Sequence, residues 1–347
     1  MTAQVAFLFP GQGSQAVGMG ADVFAASPAA RRVFEVVDEA LGFSLSTLCF
    51  QGPEETLRDT INAQPAIVTV SLALLAAFQE ALSPHNSSWS FPLVPSYTAG
   101  HSVGENAALV VSGALDLKNA TLLVRERGRL MHHEGTVCPG GMAAIIGMDA
   151  GPLQEVCQEA TSQAVAHYAA NPGDNQSHPG LGQVIVANFN APGQIVISGE
   201  QHALEVAMEL AKARGAKRVI PLAVSGAFHS PVMQPAAGDL AQMIATAPIQ
   251  DASIPIIGNI HAVPLTQADA LREELAQQIA SPVQWTRTIE YMASAGVTVF
   301  IEIGPGQALT GMVKRIVKGV TPISMSNAAD IARAAATIRE MGLLHEV

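Results

Sequence analysis

Short apolar segments alternate with helical patterns along most of this chain, and this alternation most constrains its fold. The apolar run Val5 to Phe9 precedes two helical patterns and a second short run. The alternation returns after Val224. Strands that alternate with helices build parallel sheets, so we predict an α/β protein with a parallel sheet. The predicted strands of this part are Val5 to Phe9, Ser96 to Ala99, Ile254 to Gly258 and Val297 to Ile303, and its helices are Pro28 to Leu41, Pro65 to Leu82, Pro235 to Thr246, Asp269 to Ala280, Thr286 to Ala295 and Leu309 to Lys318.

A different order of elements begins near Gly140. It runs β-α-β-β-α-β, which is the split ferredoxin-like arrangement. We therefore expect a smaller ferredoxin-like subdomain at residues 138–224, inserted into a core made of residues 1–137 and 225–347. The predicted elements of this block are Met142 to Gly147, Gly151 to Ala164, Val184 to Phe189, Gln194 to Ser198, His202 to Arg214 and Lys217 to Val224.

Two stretches rich in Gly, Pro and polar residues are predicted loops. They are Ser83 to Pro95 in the core and Asn171 to Gly182 in the smaller subdomain. Such clusters interrupt both helical and strand patterns.

The composition bounds the class of protein. Charged residues make up 14% of the chain against about 25% in typical soluble proteins, and hydrophobic residues make up 49%, so much of the chain must be buried. No uninterrupted apolar run reaches the roughly 18 residues of a membrane span. The start MTAQVAFLFPG has no basic segment or cleavage site. We expect a cytoplasmic protein with no membrane partner.

The net charge and the cysteines argue against a nucleic-acid partner and a metal site. The net charge of -11 argues against nucleic acid, which requires concentrated positive charge. Cys49, Cys138 and Cys157 form no CxxC pair and have no metal-like spacing. We therefore predict reduced core thiols and no metal site.

Two clusters of basic residues could still hold an acidic partner. The alternative is that each is a solvated helix end, where the helix dipole favours cations. The clusters are Lys212, Arg214, Lys217 and Arg218, and Lys314, Arg315 and Lys318.

The strongest local signal is GHSVG at Gly100 to Gly104, between a predicted strand and a helix. In a G-x-S-x-G elbow, glycines permit a strained turn that presents the serine oxygen at the start of a helix. Ser102 is thus a candidate nucleophile. A tight turn with an unreactive serine is the alternative.

A serine nucleophile requires a base. Elbow enzymes place that base late in the chain, on a loop beyond a strand. His229, in VSGAFHSPVM, suits this description, although a surface histidine would also fit the pattern. The adjacent His132 and His133 point apart on a helix and lack the HExxH pattern, so they do not indicate a metal site.

The opening turn FPGQGSQAVG matches a relaxed dinucleotide-binding pattern. That fold needs an acidic residue at the end of its second strand, whereas Asp38 lies in a segment with helical spacing. A turn after a strand can instead supply a main-chain N–H to an oxyanion. The residue after the nucleophile, Val103, would supply a second N–H.

Several ordered sequence blocks make the chain resemble the malonyl-CoA:acyl carrier protein transacylase family over essentially its whole length. The resemblance implies an α/β-hydrolase-like core that carries a ferredoxin-like insert. The blocks are FPGQGSQ, GHSVGE, RERGRLM, NFNAPGQIVISG, AFHSPVM, SPVQW and IEIGPGQALTGMVKRI.

The resemblance also implies roles for individual residues. Ser102 would carry the malonyl group as an ester, and His229 would act as general base and acid. Gln12 and Val103 would supply the oxyanion N–H groups. The family orients its histidine with a carbonyl oxygen, which the SPVQW block assigns to Gln284.

Two further residues would bind the substrate. Arg127 would hold the malonyl carboxylate, because a planar guanidinium can donate two parallel charge-assisted hydrogen bonds. Phe228 resembles the bulky residue of malonyl-selective members and would disfavour a 2-methyl branch. The elbow has Val103 where leucine is more usual, which leaves the main-chain donor intact, and both predicted loops are longer than expected.

The resemblance therefore implies transfer of malonyl from coenzyme A to the thiol of an acyl carrier protein, with no metal or redox cofactor, in fatty acid or polyketide synthesis. An acyl hydrolase on the same scaffold is the nearest alternative. A malonyl-transferring subunit of a malonate decarboxylase and a non-catalytic carrier-binding module are further alternatives.

Overall fold

The larger of two sheets forms the centre of the protein. The structure, a computed structural model, describes residues 4–82, 92–171 and 182–344. The strand order in the larger sheet is β10-β9-β1-β2-β7-β8, and all neighbours are parallel except β7 and β8. The strands are β1 (Gln4–Phe9), β2 (Tyr97–Gly100), β7 (Ile256–Ile257), β8 (Pro264–Leu265), β9 (Val297–Ile303) and β10 (Thr321–Met325). The predicted parallel α/β core is confirmed.

Helices cover both faces of this sheet. Every residue of β1 after the first is buried, as expected for a parallel strand between two helical layers. The helices of this part are α1 (Ala21–Ala26), α2 (Pro28–Leu41), α3 (Leu45–Gln51), α4 (Glu54–Arg58), α5 (Thr60–Leu82), α6 (Glu105–Val111), α7 (Leu117–Val137), α10 (Gln234–Thr246), α11 (Ala268–Gln278), α12 (Trp285–Ser294), α13 (Ala308–Ile316) and α14 (Ala328–Glu340).

Helix α5 is the central helix of the core. It is long and apolar enough, by length and composition, to cross a membrane, yet 89% of its apolar stretch is buried inside the protein. The sequence predicts its start at Pro65, whereas the helix begins at Thr60. Proline cannot donate to the carbonyl four residues earlier. That carbonyl, of Ile61, accepts a hydrogen bond from Arg125 Nη1 at 2.7 Å instead.

The second sheet is antiparallel and has its own hydrophobic core. Its strand order is β4-β5-β3-β6, and its elements follow the predicted β-α-β-β-α-β order. The bounds at residues 138 and 224 remain predictions. The elements are β3 (Gly140–Ile146), α8 (Ala150–Ala170), β4 (Val184–Ala191), β5 (Gln194–Glu200), α9 (Gln201–Ala213) and β6 (Arg218–Pro221).

Strand β4 also contacts the core. Phe189 N–H donates to the Val283 carbonyl at 2.9 Å, and Val283 N–H donates to the Ala187 carbonyl at 2.8 Å. These bonds fix the smaller sheet beside the loop between α11 and α12. The two sheets therefore border a common cleft.

Some predicted elements differ from the observed ones. The strand predicted at Lys217 to Val224 is observed as the shorter β6, which ends at Pro221. The strand predicted at Ile254 to Gly258 is observed as the shorter β7. Of the predicted loops, residues 83–91 and 172–181 lie outside the described residues.

Candidate active site

Ser102 lies at a sharp turn between β2 and α6. Its φ is 52°, in the left-handed region that side chains rarely adopt. A Cβ on Gly100 would lie 1.9 Å from the Gly104 carbonyl carbon, and a Cβ on Gly104 would lie 2.2 Å from the Phe9 oxygen. Both glycines are thus required for the turn. The predicted elbow geometry is present.

Asn259 supports the elbow from the neighbouring strand. Its Oδ1 accepts a hydrogen bond from Ser102 N–H at 2.8 Å, and its Nδ2 donates to the Gly100 carbonyl at 2.8 Å. Asn259 is buried and follows β7. Sequence reasoning missed this residue. The available signal was a polar side chain shortly after a buried strand, in this case the strand next to β2.

His229 contacts the nucleophile directly. Its Nε2 lies 2.7 Å from Ser102 Oγ, while its Nδ1 lies 3.0 Å from the Gln278 carbonyl oxygen and 3.1 Å from the Ser281 carbonyl oxygen. Carbonyl oxygens only accept, so Nδ1 carries the proton and the Nε2 lone pair faces the serine hydroxyl. The pair has the geometry of a serine nucleophile and its general base.

The prediction that Gln284 orients the histidine is wrong. The carbonyls at Nδ1 belong to Gln278, the last residue of α11, and to Ser281. Carbonyls in the last turn of a helix have no partner further along that helix, so they are free to accept from elsewhere. Gln284 lies at the start of α12, where its N–H donates to the Asn259 carbonyl at 2.8 Å.

The environment keeps His229 neutral. Burial, followed by the positive charge of Arg127, lowers the pKa of His229 to about 3. Both effects disfavour the imidazolium. The resting histidine is therefore a neutral proton acceptor.

Arg127 is buried in the site rather than exposed on its helix. Only 3% of it is accessible to solvent. Its Nη2 donates to Ser102 Oγ at 3.1 Å and to Gln278 Oε1 at 2.8 Å, and its Nη1 donates to Gln64 Oε1 at 2.6 Å. Burial lowers the pKa of Arg127 to about 10, which leaves it charged at neutral pH.

The charge of Arg127 has no salt-bridge partner within residues 4–82, 92–171 and 182–344. Buried cations are normally paired, because desolvation is costly. The unpaired guanidinium beside the nucleophile is suited to an anionic group that arrives with a substrate.

The Gly-rich turn lies against the elbow at the carboxyl end of β1. His101 N–H donates to the Phe9 carbonyl at 2.9 Å, which joins the two turns. Gln12 Nε2 donates to Thr60 Oγ1 at 3.0 Å, and Thr60 Oγ1 lies 3.1 Å from Ser225 Oγ. These contacts hold Gln12 beside the loop that carries His229.

A cavity of about 240 Å³ brings together the predicted site residues other than Gln284. Its lining includes Gln12, Ser102, Val103, Arg127, Phe228 and His229. Phe228 is 4% exposed, so its ring fills space in the site.

The smaller sheet contributes two asparagines to this cavity. Asn190 Oδ1 lies 2.8 Å from His101 Nε2. The buried Asn188 Oδ1 has no hydrogen-bond partner among the described residues. The sequence predicted these positions only as part of a family block.

The described cysteines are free and buried, and burial raises the pKa of Cys49 and Cys157 to about 12 and of Cys138 to about 11. No group of three His, Cys, Asp or Glu suited to a metal ion occurs in the described part of the chain.

Both basic clusters are exposed. Some of their members have local partners: Arg214 pairs with Glu159, and Arg315 donates to Gln194 Oε1 at 2.7 Å and to the Pro192 carbonyl at 2.8 Å. Arg218 is the first residue of β6, and Lys217 directly precedes it.

Comparisons with known proteins agree with this geometry. Residues 6–343 match the acyl transferase domain family. The chain is 43% identical to the malonyl CoA-acyl carrier protein transacylase of Bacillus subtilis, over 97% of this chain and 98% of that protein. It is 40% identical to the protein of the same name from Escherichia coli K12, over 95% of this chain and 98% of the relative.

Solved structures are similar over nearly the full length. The malonyl CoA-acyl carrier protein transacylase of Coxiella burnetii superposes with a TM-score of 0.86 at 35% identity, with 99% of each chain covered. A malonyl-transacylase in complex with its type II PKS acyl-carrier protein superposes with a TM-score of 0.85 at 37% identity, covering 96% of this chain and 100% of that one.

Proposed function

The chain belongs to the malonyl-CoA:acyl carrier protein transacylase family, and from that premise we propose that Ser102 carries malonyl between two thiols. The enzyme transfers malonyl from malonyl-CoA to the phosphopantetheine thiol of an acyl carrier protein, in fatty acid or polyketide synthesis. The 2.7 Å contact between Ser102 Oγ and His229 Nε2 carries the proposal for the chemistry.

The first half-reaction acylates the serine. His229 Nε2 takes the hydroxyl proton as Ser102 Oγ attacks the thioester carbonyl. Two main-chain N–H groups, from Gln12 and Val103, stabilise the oxyanion of the tetrahedral intermediate. The carbon–sulfur bond then breaks, and the imidazolium returns its proton to the departing coenzyme A thiolate.

The second half-reaction reverses these roles. The carrier thiol gives its proton to His229 and attacks the malonyl-Ser102 ester, and the serine oxygen leaves as the imidazolium protonates it. The Gln278 and Ser281 carbonyls accept from Nδ1 throughout, so they fix the imidazole orientation and the tautomer.

Arg127 binds the malonyl carboxylate and so selects the acyl group. Its charge also lowers the pKa of His229. A bound carboxylate offsets that charge, so binding of malonyl raises the basicity of the histidine when the reaction needs it. An acyl group without a carboxylate leaves the histidine a poorer base.

Phe228 restricts the space beside the reacting carbon. Its buried ring disfavours a methyl branch at the 2-position of the acyl group. One methyl group separates substrates by about 1–3 kcal/mol.

The surface clusters supply partner contacts in this proposal. The exposed Lys217 and Arg218 attract the acidic carrier or the phosphates of coenzyme A. The cytoplasm is the proposed location. The burial of α5 inside the core supports a soluble protein.

The buried cation distinguishes the transferase from the hydrolase alternative. A hydrolase of uncharged acyl chains has no use for Arg127, which is 3% exposed and lies 3.1 Å from the nucleophile. The test is the rate at which the malonyl ester is lost with and without carrier. Loss that requires carrier supports the transferase, whereas equal rates would support a hydrolase.

A further inference from the structure

A buried carboxyl group lies behind the active site and has no role in the chemistry described above. Glu105 is the first residue of α6 and is 2% exposed. Its Oε1 accepts a hydrogen bond from Asn259 N–H at 3.3 Å, and its Oε2 accepts one from Gln278 Nε2. Both carboxyl oxygens are therefore used as acceptors.

The side-chain amide of Gln278 connects this carboxyl to the substrate-binding side. Its Nε2 donates to Glu105 and to the Ser102 carbonyl, the latter at 3.2 Å. Its Oε1 accepts from Arg127 Nη2 at 2.8 Å. An amide can rotate by a half-turn and exchange its oxygen and nitrogen, so its partners decide which end faces the guanidinium.

We propose that Glu105 is a positioning residue that fixes the orientation of the Gln278 amide and thereby holds the Arg127 guanidinium ready for the substrate carboxylate. This inference rests on the proposed function, in which Arg127 binds that carboxylate. Glu105 does not touch the substrate. It acts through Gln278.

The chemistry of the three groups supports this role. A carboxyl oxygen accepts hydrogen bonds, so it retains the NH₂ end of Gln278 and leaves the amide oxygen for Arg127. If residue 105 were glutamine, one of its two ends would be an NH₂ group. That group would face either the N–H of Asn259 or the NH₂ of Gln278, and both are donors.

The main-chain N–H of Asn259 cannot turn away, whereas a side-chain amide can. The mismatch would therefore fall on Gln278, whose NH₂ group would face a donor at residue 105. The amide could relieve this only by turning, which would also break its bond to the Ser102 carbonyl and present a donor to Arg127. In either case the amide would no longer be fixed in the position that holds the guanidinium.

The hydrogen bonds of Glu105 act against its burial. Burial and the neighbouring Glu274 raise the pKa of Glu105 well above its usual range, whereas the hydrogen bonds from Gln278 and Asn259 and the charge of Arg127 lower it. These donors favour the form in which both carboxyl oxygens accept.

The experiment compares malonyl-CoA with acetyl-CoA, which lacks the terminal carboxylate. The second-order rate of Ser102 acylation is measured by intact mass under single-turnover conditions for wild type, Glu105→Gln and Arg127→Met. Glu274→Gln serves as the matched control, since it changes a neighbouring buried carboxyl that contacts the Ile260 N–H instead of Gln278. It also removes one cause of the raised pKa of Glu105, which leaves both Glu105 oxygens as acceptors.

We expect Glu105→Gln to slow malonyl acylation by about tenfold or more and acetyl acylation by less than about threefold, because only malonyl presents a carboxylate to Arg127. Glu274→Gln should retain the wild-type ratio of the two rates. Thermal unfolding of each variant shows whether the fold is retained.

Other outcomes distinguish the positioning role of Glu105 from the binding role of Arg127. If Arg127→Met loses the preference for malonyl while Glu105→Gln keeps it, the positioning role is wrong and the proposed function stands. Equal slowing of both substrates by Glu105→Gln indicates a structural role and also overturns the inference. If Arg127→Met keeps the preference, the proposed binding role of Arg127 fails, and the inference fails with it.

Discussion

Ser102 and His229, 127 residues apart in the chain, meet through a 2.7 Å contact, and both have a left-handed backbone with φ of 52° and 58°. Such conformations cost on the order of 1–3 kcal/mol each and persist only where surrounding contacts enforce them. Here Asn259 Oδ1 accepts a hydrogen bond from the Ser102 N–H, and main-chain carbonyls accept from the histidine ring. The contact is preorganised by the fold.

The elbow should not tolerate a side chain at Gly104. A Cβ there would lie 2.2 Å from the Phe9 oxygen, so Gly104→Ala should force the turn apart, destabilise the protein by more than about 2 kcal/mol and abolish acylation. Urea unfolding and acylation rates measure both effects. Gly238→Ala in α10 is the control, because nothing lies within 4 Å of its added Cβ, and it should be neutral or stabilising. A fully active Gly104→Ala enzyme would contradict the elbow.

The pH dependence should report the suppressed basicity of His229. Its pKa of about 3 keeps the imidazole neutral at pH values where an ordinary histidine is protonated. With acetyl-CoA, kcat/KM should therefore stay level on the acid side down to about pH 5. Arg127→Met removes a cause of the low pKa, so the pKa should rise and the acid limb should move to higher pH. A limb that moves to lower pH would show that the charge of Arg127 does not act on His229.

The sequence predicted the reacting residues better than the residues that position them. Ser102 and His229 stand in motifs whose spacing and context indicate chemistry. The group that orients the histidine is the main-chain carbonyl of Gln278, and any residue at the end of α11 would have such a carbonyl. No side-chain type therefore marks the position in the sequence, and the prediction assigned it wrongly to Gln284. Asn259 is likewise 157 residues from the serine it supports.

In the fold, too, elements set by a local sequence pattern were predicted better than elements that depend on contacts with distant residues. Helix α2 and strand β9 have the predicted bounds, since each is set by a continuous pattern in its own segment. Strand β7 has only two residues, and its existence depends on pairing with β2 and β8. The burial of Arg127 also depends on tertiary packing, because its neighbours along the helix are charged.

Phe228 should control access of branched acyl groups. Phe228→Val removes ring volume from the cavity, so the preference for malonyl-CoA over methylmalonyl-CoA should fall by about tenfold or more, within the roughly 10–200-fold range that one methyl group provides. The ratio of kcat/KM values for the two substrates measures this. Phe34→Val, which removes a fully buried ring from another part of the core, is the control and should leave the ratio unchanged. An unchanged ratio in Phe228→Val would reject the specificity role.

Reversal of charge at the start of β6 should weaken partner binding without affecting the chemistry. Lys217→Glu combined with Arg218→Glu should raise the apparent KM for the carrier or for malonyl-CoA several-fold at low salt, and high salt should reduce the difference. Arg32→Glu, an exposed change on α2, is the control. Unchanged KM values for both partners would rule out a docking role for this cluster.

The most direct test of the central claim is the intact mass of the enzyme after brief exposure to malonyl-CoA, followed by addition of carrier. Wild type should gain one malonyl group, which peptide mapping places on Ser102, and should pass it to the carrier thiol. Ser102→Ala should gain none. A malonyl adduct of equal yield on Ser102→Ala, or transfer to the carrier without any adduct on wild type, would contradict the account.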